Sequence, residues 1–191
     1  GEGDKKSYIY VELLKKIMLP RDLIIYPKEI SDIEVLVPEE RKKVIKEELE
    51  EMEERYRALN RLFFDKSYPK GVLIEKYTAF INLNPKYYAA YRDRAILYTH
   101  IGKYREAVAD NQLLVTHNER VWSDAIINKA EALFFLKDYD EALKVANHYF
   151  AICEKPTAEC HRIRAEIFRK LKMSDEYEAD MRESKRLRKE K

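Results

Sequence analysis

Glycine is scarce, with four in 191 residues. Gly1 and Gly3 stand at the very start of the chain, which leaves only Gly71 and Gly102 for its patterned part. Two isolated glycines cannot build the close backbone approach that cradles a phosphate, so P-loop and dinucleotide-binding sites are excluded. The two cysteines, Cys153 and Cys160, are too few to staple a secreted scaffold of this length. No apolar run nears the roughly 20 residues of a membrane-spanning helix, and no secretory leader is read. An excess of either charge is missing too: 37 Lys+Arg stand against 35 Asp+Glu, a formal net charge of +2. That balance argues against nucleic-acid binding by bulk charge and against an acidic disordered chain. The expectation is a cytoplasmic protein of a reducing compartment that does not engage membranes. With 46% hydrophobic residues it can bury a sizeable core.

Constellations that carry chemistry are also lacking. His100, His117, His148 and His161 form no HExxH or comparable pair with a carboxylate, and no CxxC occurs. Cys153, Cys160 and His161 bracket a turn but lack a fourth metal ligand, so the sulfurs read as ordinary buried thiols. The acidic stretch Glu47, Glu48, Glu50, Glu51, Glu53 and Glu54 is flanked by Lys and Arg at helical distances, which reads as a solvated, ion-paired face. No nucleophile–base pair is seen. The sequence therefore predicts no enzyme, no metal and no cofactor.

What is present is helical periodicity. All six prolines fall between apolar-periodic stretches, where they punctuate helices. Between Pro85 and Pro156 apolar residues recur at three and four, and at least eight helices with little sheet are expected. Tyr91, Ala95, Tyr98, Gly102, Tyr104 and Ala107 align, 35 residues on, with Ile126, Ala130, Leu133, Lys137, Tyr139 and Ala142. A further step meets His161, Ala165, Phe168 and Leu171, then Tyr177 and Met181; a step back meets Tyr56, Leu59, Leu62 and Phe63, then Leu73, Tyr77, Phe80 and Pro85. Small Ala95, Ala130 and Ala165 admit a neighbouring helix, while Tyr98, Leu133 and Phe168 fill the space a turn later. Helix hairpins that cannot bury their apolar faces alone must stack.

This pattern resembles the tetratricopeptide repeat. Ile101–Ala107 and Leu136–Ala142 match that family's hairpin turn, and Tyr77–Pro85 its repeat end. The resemblance covers roughly residues 50–187. It thins at Asp65–Gly71, a longer connection than usual, and at Ser174 and Tyr177, where the family favours an aromatic residue and alanine. It implies an all-α, right-handed superhelix of about four antiparallel hairpins, at roughly 38–85, 86–120, 121–156 and 157–191, the last a polar cap.

Residues 1–37 read as a non-repeat segment. Ser7 caps a short helix over 7–19 with Ile9, Tyr10, Leu13, Leu14 and Ile17 as its apolar face. Leu23–Tyr26 and Ile33–Val37 are β-prone runs that can pair as a hairpin or lie extended. Over 38–64 a charged helix carries a narrow seam of Ile45, Leu49, Met52, Tyr56, Leu59 and Phe63. With fewer than four heptads, packing on its own repeat is favoured over a coiled-coil dimer.

In such a stack the first helices line a concave groove. The alanine register places there Tyr56, Arg57, Asn60, Phe63 and Phe64; then Arg92, Asp93, Ile96 and His100; then Asp124, Ile127, Asn128, Glu131, Phe134 and Phe135; and finally Glu159, Arg162, Glu166, Arg169 and Lys170. Aromatic groups interleaved with both charges suit a partner peptide or helix. The resemblance implies an adaptor or assembly factor of co-chaperone type, but many such relatives clamp a chaperone's acidic C-terminus with lysine and asparagine side chains. At the matching positions stand Tyr56, Asn60, Asp93, Asp124 and Asn128, so the cations are missing and tight binding of such a tail is not expected. The alternatives are RNA binding, which five cations against five anions in the groove disfavour, and a homodimeric scaffold through 38–64. The basic end from Arg182 to Lys191 reads as the solvated face of a capping helix.

Overall fold

The computed structural model describes residues 39–119 and 121–189; the segment read over 1–37 lies outside them. The described residues form eight helices and no strand: α1 (Glu39–Phe64), α2 (Lys70–Leu83), α3 (Tyr88–His100), α4 (Tyr104–Asn118), α5 (Ser123–Phe135), α6 (Tyr139–Ile152), α7 (Ala158–Lys170) and α8 (Ser174–Lys189). They group into two compact units. One takes the chain up to Tyr68 together with Ala79–Tyr87; the other takes Pro69–Thr78 and everything from Tyr88 onward.

In the first unit α1 is one 26-residue helix. Its exposed side carries the expected ion pairs one turn apart, Lys43–Glu47, Lys46–Glu50 and Arg55–Glu51. From the seam, Ile45, Tyr56 and Leu59 are buried. The Tyr56 ring lies 4.5 Å from that of Tyr87 and 5.9 Å from that of Phe80, and Phe80 meets Tyr87 edge-on at 5.1 Å. The Tyr87 hydroxyl donates to Glu53 on α1 at 3.2 Å, so the aromatic cluster keeps its polar tip bonded.

In the second unit α3/α4, α5/α6 and α7/α8 are antiparallel hairpins, and each helix from α4 to α7 also packs on the next in the chain. The first helices meet as well, α3 on α5 and α5 on α7. Ala95, Ala130 and Ala165 have no exposed surface, nor have Ala107 and Ala142. A methyl group is all that fits where these backbones approach. Around Ala130 and Ala142, Ile126, Ile127, Leu133, Val145, Tyr149, Ile163 and Ile167 form a continuous apolar core, and Leu114, Trp122 and Ala125 a second cluster.

The three hairpin turns are built alike. Lys103 N donates to Tyr98 O and Gly102 N to Thr99 O; Asp138 to Leu133 and Lys137 to Phe134 repeat the pair, as do Met173 to Phe168 and Lys172 to Arg169. This double bond closes a helix with one residue in the left-handed region. That residue is Gly102 (φ 78°), Lys137 (φ 66°) or Lys172 (φ 61°), at a spacing of 35.

The last hairpin, the least family-like in sequence, is held by polar ties. The buried residues of α8 are Asp180 and Ser184, and Ser184 Oγ donates to Ala158 O at 2.7 Å. At its basic end Arg182, Arg186 and Arg188 pair with Glu178, Glu183 and Glu159.

Candidate functional site

The candidate surface of the second unit is the face of α3, α5 and α7. Ala95, Ala130, Ala165, Ile127 and Ile163 are buried, and residues between them remain for solvent. Arg92, Ile96, Asn128, Glu131, Phe134, Arg162 and Glu166 are half-buried, while His100, Asp124, Phe135, Glu159, Arg169 and Lys170 are exposed. Arg162 binds α5 to α7: its Nε donates to Glu159 at 2.9 Å and its Nη2 reaches Glu131 at 3.5 Å. The two carboxylates respond oppositely. Desolvation raises the pKa of Glu131 against the pull of Arg162, whereas the hydrogen bond from Arg162 lowers that of Glu159. Arg169 is likewise paired, with Glu166 at 2.7 Å, and Arg92 with Asp93 at 2.8 Å.

The aromatic part of this face lies at its hairpin-turn end. Phe135 stacks on Tyr104 at 4.8 Å with an interplanar angle of 13°, and meets Phe134 edge-on at 5.4 Å. Phe134 in turn approaches Tyr139 at 5.7 Å. Phe135 remains 44% exposed, whereas Phe134 also packs on the core, so the two neighbours differ in what they offer a ligand. In the first unit Arg57 is bonded to Glu54, Asn60 is half-buried, and Phe63 lies edge-on to Phe64, which is 79% exposed.

Three residues expected on the groove are interior instead. Tyr56 belongs to the aromatic cluster of the first unit. Ile127 belongs to the core of the second. Asp93, 3% exposed, accepts from the Tyr77 hydroxyl at 3.3 Å and from Arg92. Each sits one position around the helix from a surface residue, an error of about 100° that a register taken from alanines alone does not detect.

The sequence reading also missed a polar register. Arg94 donates two hydrogen bonds of 2.8 Å to buried Asp110, and Arg164 donates bonds of 2.7 and 2.9 Å to buried Asp180, which His161 Nδ1 also meets at 2.7 Å. Both pairs tie a first helix to its own second helix at the same separation of 16 residues. The middle hairpin has Lys129 and buried Val145 at the corresponding positions. All three cations also reach the second helix before them: Arg94 to Thr78 at 3.1 Å, Lys129 to Gln112 at 2.7 Å, and Arg164 to Asn147 at 3.3 Å. The signal was present as a basic residue immediately before each alanine.

Among the described residues no group of three or more His, Cys, Asp or Glu could hold a metal ion, and no helix is long and apolar enough to cross a membrane.

The described residues are all helical and build a tetratricopeptide-like fold, a helical repeat whose hairpins close on alanine. Solved structures of MamA share it. One designated "Crystal structure of MamA" has a TM-score of 0.62 at 16% identity, covering 78% of this chain and 85% of that one. MamA MSR-1 C2 has a TM-score of 0.54 at 17% identity over 63% and 68% of the two chains, and MamA AMB-1 C2221 one of 0.52 at 16% over 61% and 68%. At such identities the likeness is one of fold. No family model and no curated protein sequence matches the chain.

Proposed function

We propose that the protein is a non-enzymatic recognition module of adaptor or assembly-factor type, holding a peptide or helix of a partner protein against the α3, α5 and α7 face. The observation that carries this reading is the junction of α5 and α7. There half-buried Glu131 and Arg162 pair across the two helices, and Phe135, one turn along α5 from Glu131, stays exposed. An apolar anchor beside fixed charges of both signs gives a ligand both affinity and register. The arginines of this face are matched by carboxylates, which favours a protein ligand over a phosphate backbone. The seam of α1 is largely committed to the chain's own interior at Ile45, Tyr56 and Leu59, which favours this reading over a scaffold dimerising through 38–64.

The test is selection of binding peptides from a displayed library, with affinities then measured against the wild type and a Phe135→Ala/Arg92→Ala/Arg162→Ala variant shown to be folded by circular dichroism. Selected ligands are expected to lose about tenfold or more with the variant. They should keep their affinity for Lys144→Ala, which alters an exposed residue of α6. Ligands indifferent to the triple substitution would remove the face from consideration.

A further inference from the structure

Cys153 and Cys160 lie on either side of the turn that joins the second hairpin of the repeat unit to the third. Cys153 ends α6, and Cys160 occupies the first turn of α7. Six residues separate them in the chain, yet both thiols converge on one atom: each Sγ lies 3.2 Å from Tyr149 Oη. The two sulfurs are therefore held no farther apart than two hydrogen-bond lengths. Three local features fix them there. Cys153 N donates to Tyr149 O at 2.9 Å, Thr157 Oγ1 lies 3.3 Å from Cys160 Sγ, and the Thr157 side chain accepts from Cys160 N at the start of α7. Cys160 is buried and Cys153 half-buried, so Cys153 is the more accessible of the two residues.

We propose that Cys153 and Cys160 form a reversible redox site, closed as an intramolecular disulfide by hydrogen peroxide and reopened by thiols. The thiolate of the more accessible Cys153 attacks one peroxide oxygen. The S–O bond forms, the O–O bond breaks, and hydroxide leaves to take up a proton as water. The Cys160 thiolate then attacks the sulfenic sulfur. The S–S bond forms, the S–O bond breaks, and a second water departs. Two thiols are oxidised to one disulfide as peroxide is reduced to two waters. Tyr149 stands at the meeting point as a neutral phenol, because burial, and after it the two thiols, raise its pKa above the usual range. It can therefore donate a hydrogen bond to whichever sulfur is ionised. The closed bond would tie the end of α6 to the first turn of α7 and fix the junction between those hairpins.

The experiment treats the full chain with hydrogen peroxide, in the folded state and unfolded in urea, and follows thiol loss with Ellman's reagent and peptide mass mapping without reductant. The folded wild type should lose both thiols together as a monomer, lose the mass of two hydrogens, and regain both thiols in dithiothreitol. In dithiothreitol the equilibrium should lie about tenfold or more further toward the disulfide in the folded chain than in urea, since folding holds the sulfurs together. In Cys153→Ser, which alters only the half-buried sulfur, Cys160 should stay reduced at peroxide levels that consume both thiols of the wild type. Survival of both thiols, products confined to sulfinic acids or intermolecular dimers, or a disulfide reduced as completely in the folded chain as in urea would each overturn the proposal.

Discussion

Asp180→Ala removes the carboxylate that holds α7 to α8. In the wild type this side chain, 6% exposed, receives two bonds from Arg164 and one contact from His161. The Arg164 guanidinium lies 3.5 Å from the Phe150 ring centroid and its side chain is 20% exposed, so it cannot simply swing into water. Deleting one partner of a buried pair costs about 3–5 kcal/mol, because the surviving charge keeps its desolvation penalty. The fifth of Arg164 that solvent reaches argues for the lower end, about 3 kcal/mol. For a chain of this length that lowers the melting temperature by about 6–12 °C, measured by calorimetry beside urea unfolding followed by circular dichroism. The middle hairpin supplies a sharper control. It uses Lys129 and Val145 at the same two positions, so the fold already contains a solution without the carboxylate. Arg164→Lys/Asp180→Val should therefore recover about half of the loss or more, since Lys129 at the equivalent position holds its charge on Gln112 of the preceding helix without an acidic partner beside it among the described residues. A loss below about 1 kcal/mol for Asp180→Ala, or a double variant no more stable than the single one, would refute the assignment of α7–α8 cohesion to this pair.

Other consequences can be checked separately. Lys137 and Lys172 hold left-handed backbone without the freedom of glycine, so Lys137→Gly and Lys172→Gly should each stabilise by up to about 1 kcal/mol in urea unfolding. Gly102→Ala should cost about as much, although a methyl there would meet no atom within 4 Å, since the cost lies in the backbone. Glu131 and Glu159 should titrate on opposite sides of the ordinary glutamate value of 4.5, as read by carboxyl NMR. Because the folded pKa of Glu131 is raised, its burial penalty is fully present above that value and is relieved as pH falls through it towards 4.5. The Glu159 pair works the other way: its contribution is present above 4.5 and lost as pH falls through its lowered folded value. Glu131→Gln should abolish the upper inflection and leave the lower one. A peptide ending in Glu-Glu-Val-Asp should bind no better than millimolar by calorimetry, since Asp93 is interior and Asp124 carries the wrong sign; micromolar binding would refute this.

Legibility from sequence divided along physical lines. The alanines at 95, 130 and 165 were readable because a close helix contact admits one residue size, and their burial is complete. The hairpin turns were readable where Gly102 marked one and the 35-residue step carried it to Lys137. Which residues face outward was less readable, because one helical position separates Asp93 from Arg92 and Ile127 from Asn128, and composition is similar on both sides. The Arg94–Asp110 and Arg164–Asp180 pairs escaped notice because charged residues read as solvated until a specific partner is seen, and the intervening hairpin breaks the pattern with Lys129 and Val145. The weak family match of the last hairpin lies elsewhere, at Ser174 and Tyr177, where the family favours an aromatic residue and alanine.

Each cation of the 94, 129 and 164 series bonds the second helix before it, and each turn closes through the same two backbone bonds. The joints are thus interchangeable and point one way along the chain. A duplicate of residues 121–155 spliced in behind the original would offer its lysine to the first Asn147, and its own copy of that asparagine to Arg164. Lengthening by a whole module would thus reuse these polar joints and add one new apolar contact, between α6 and the second copy of α5.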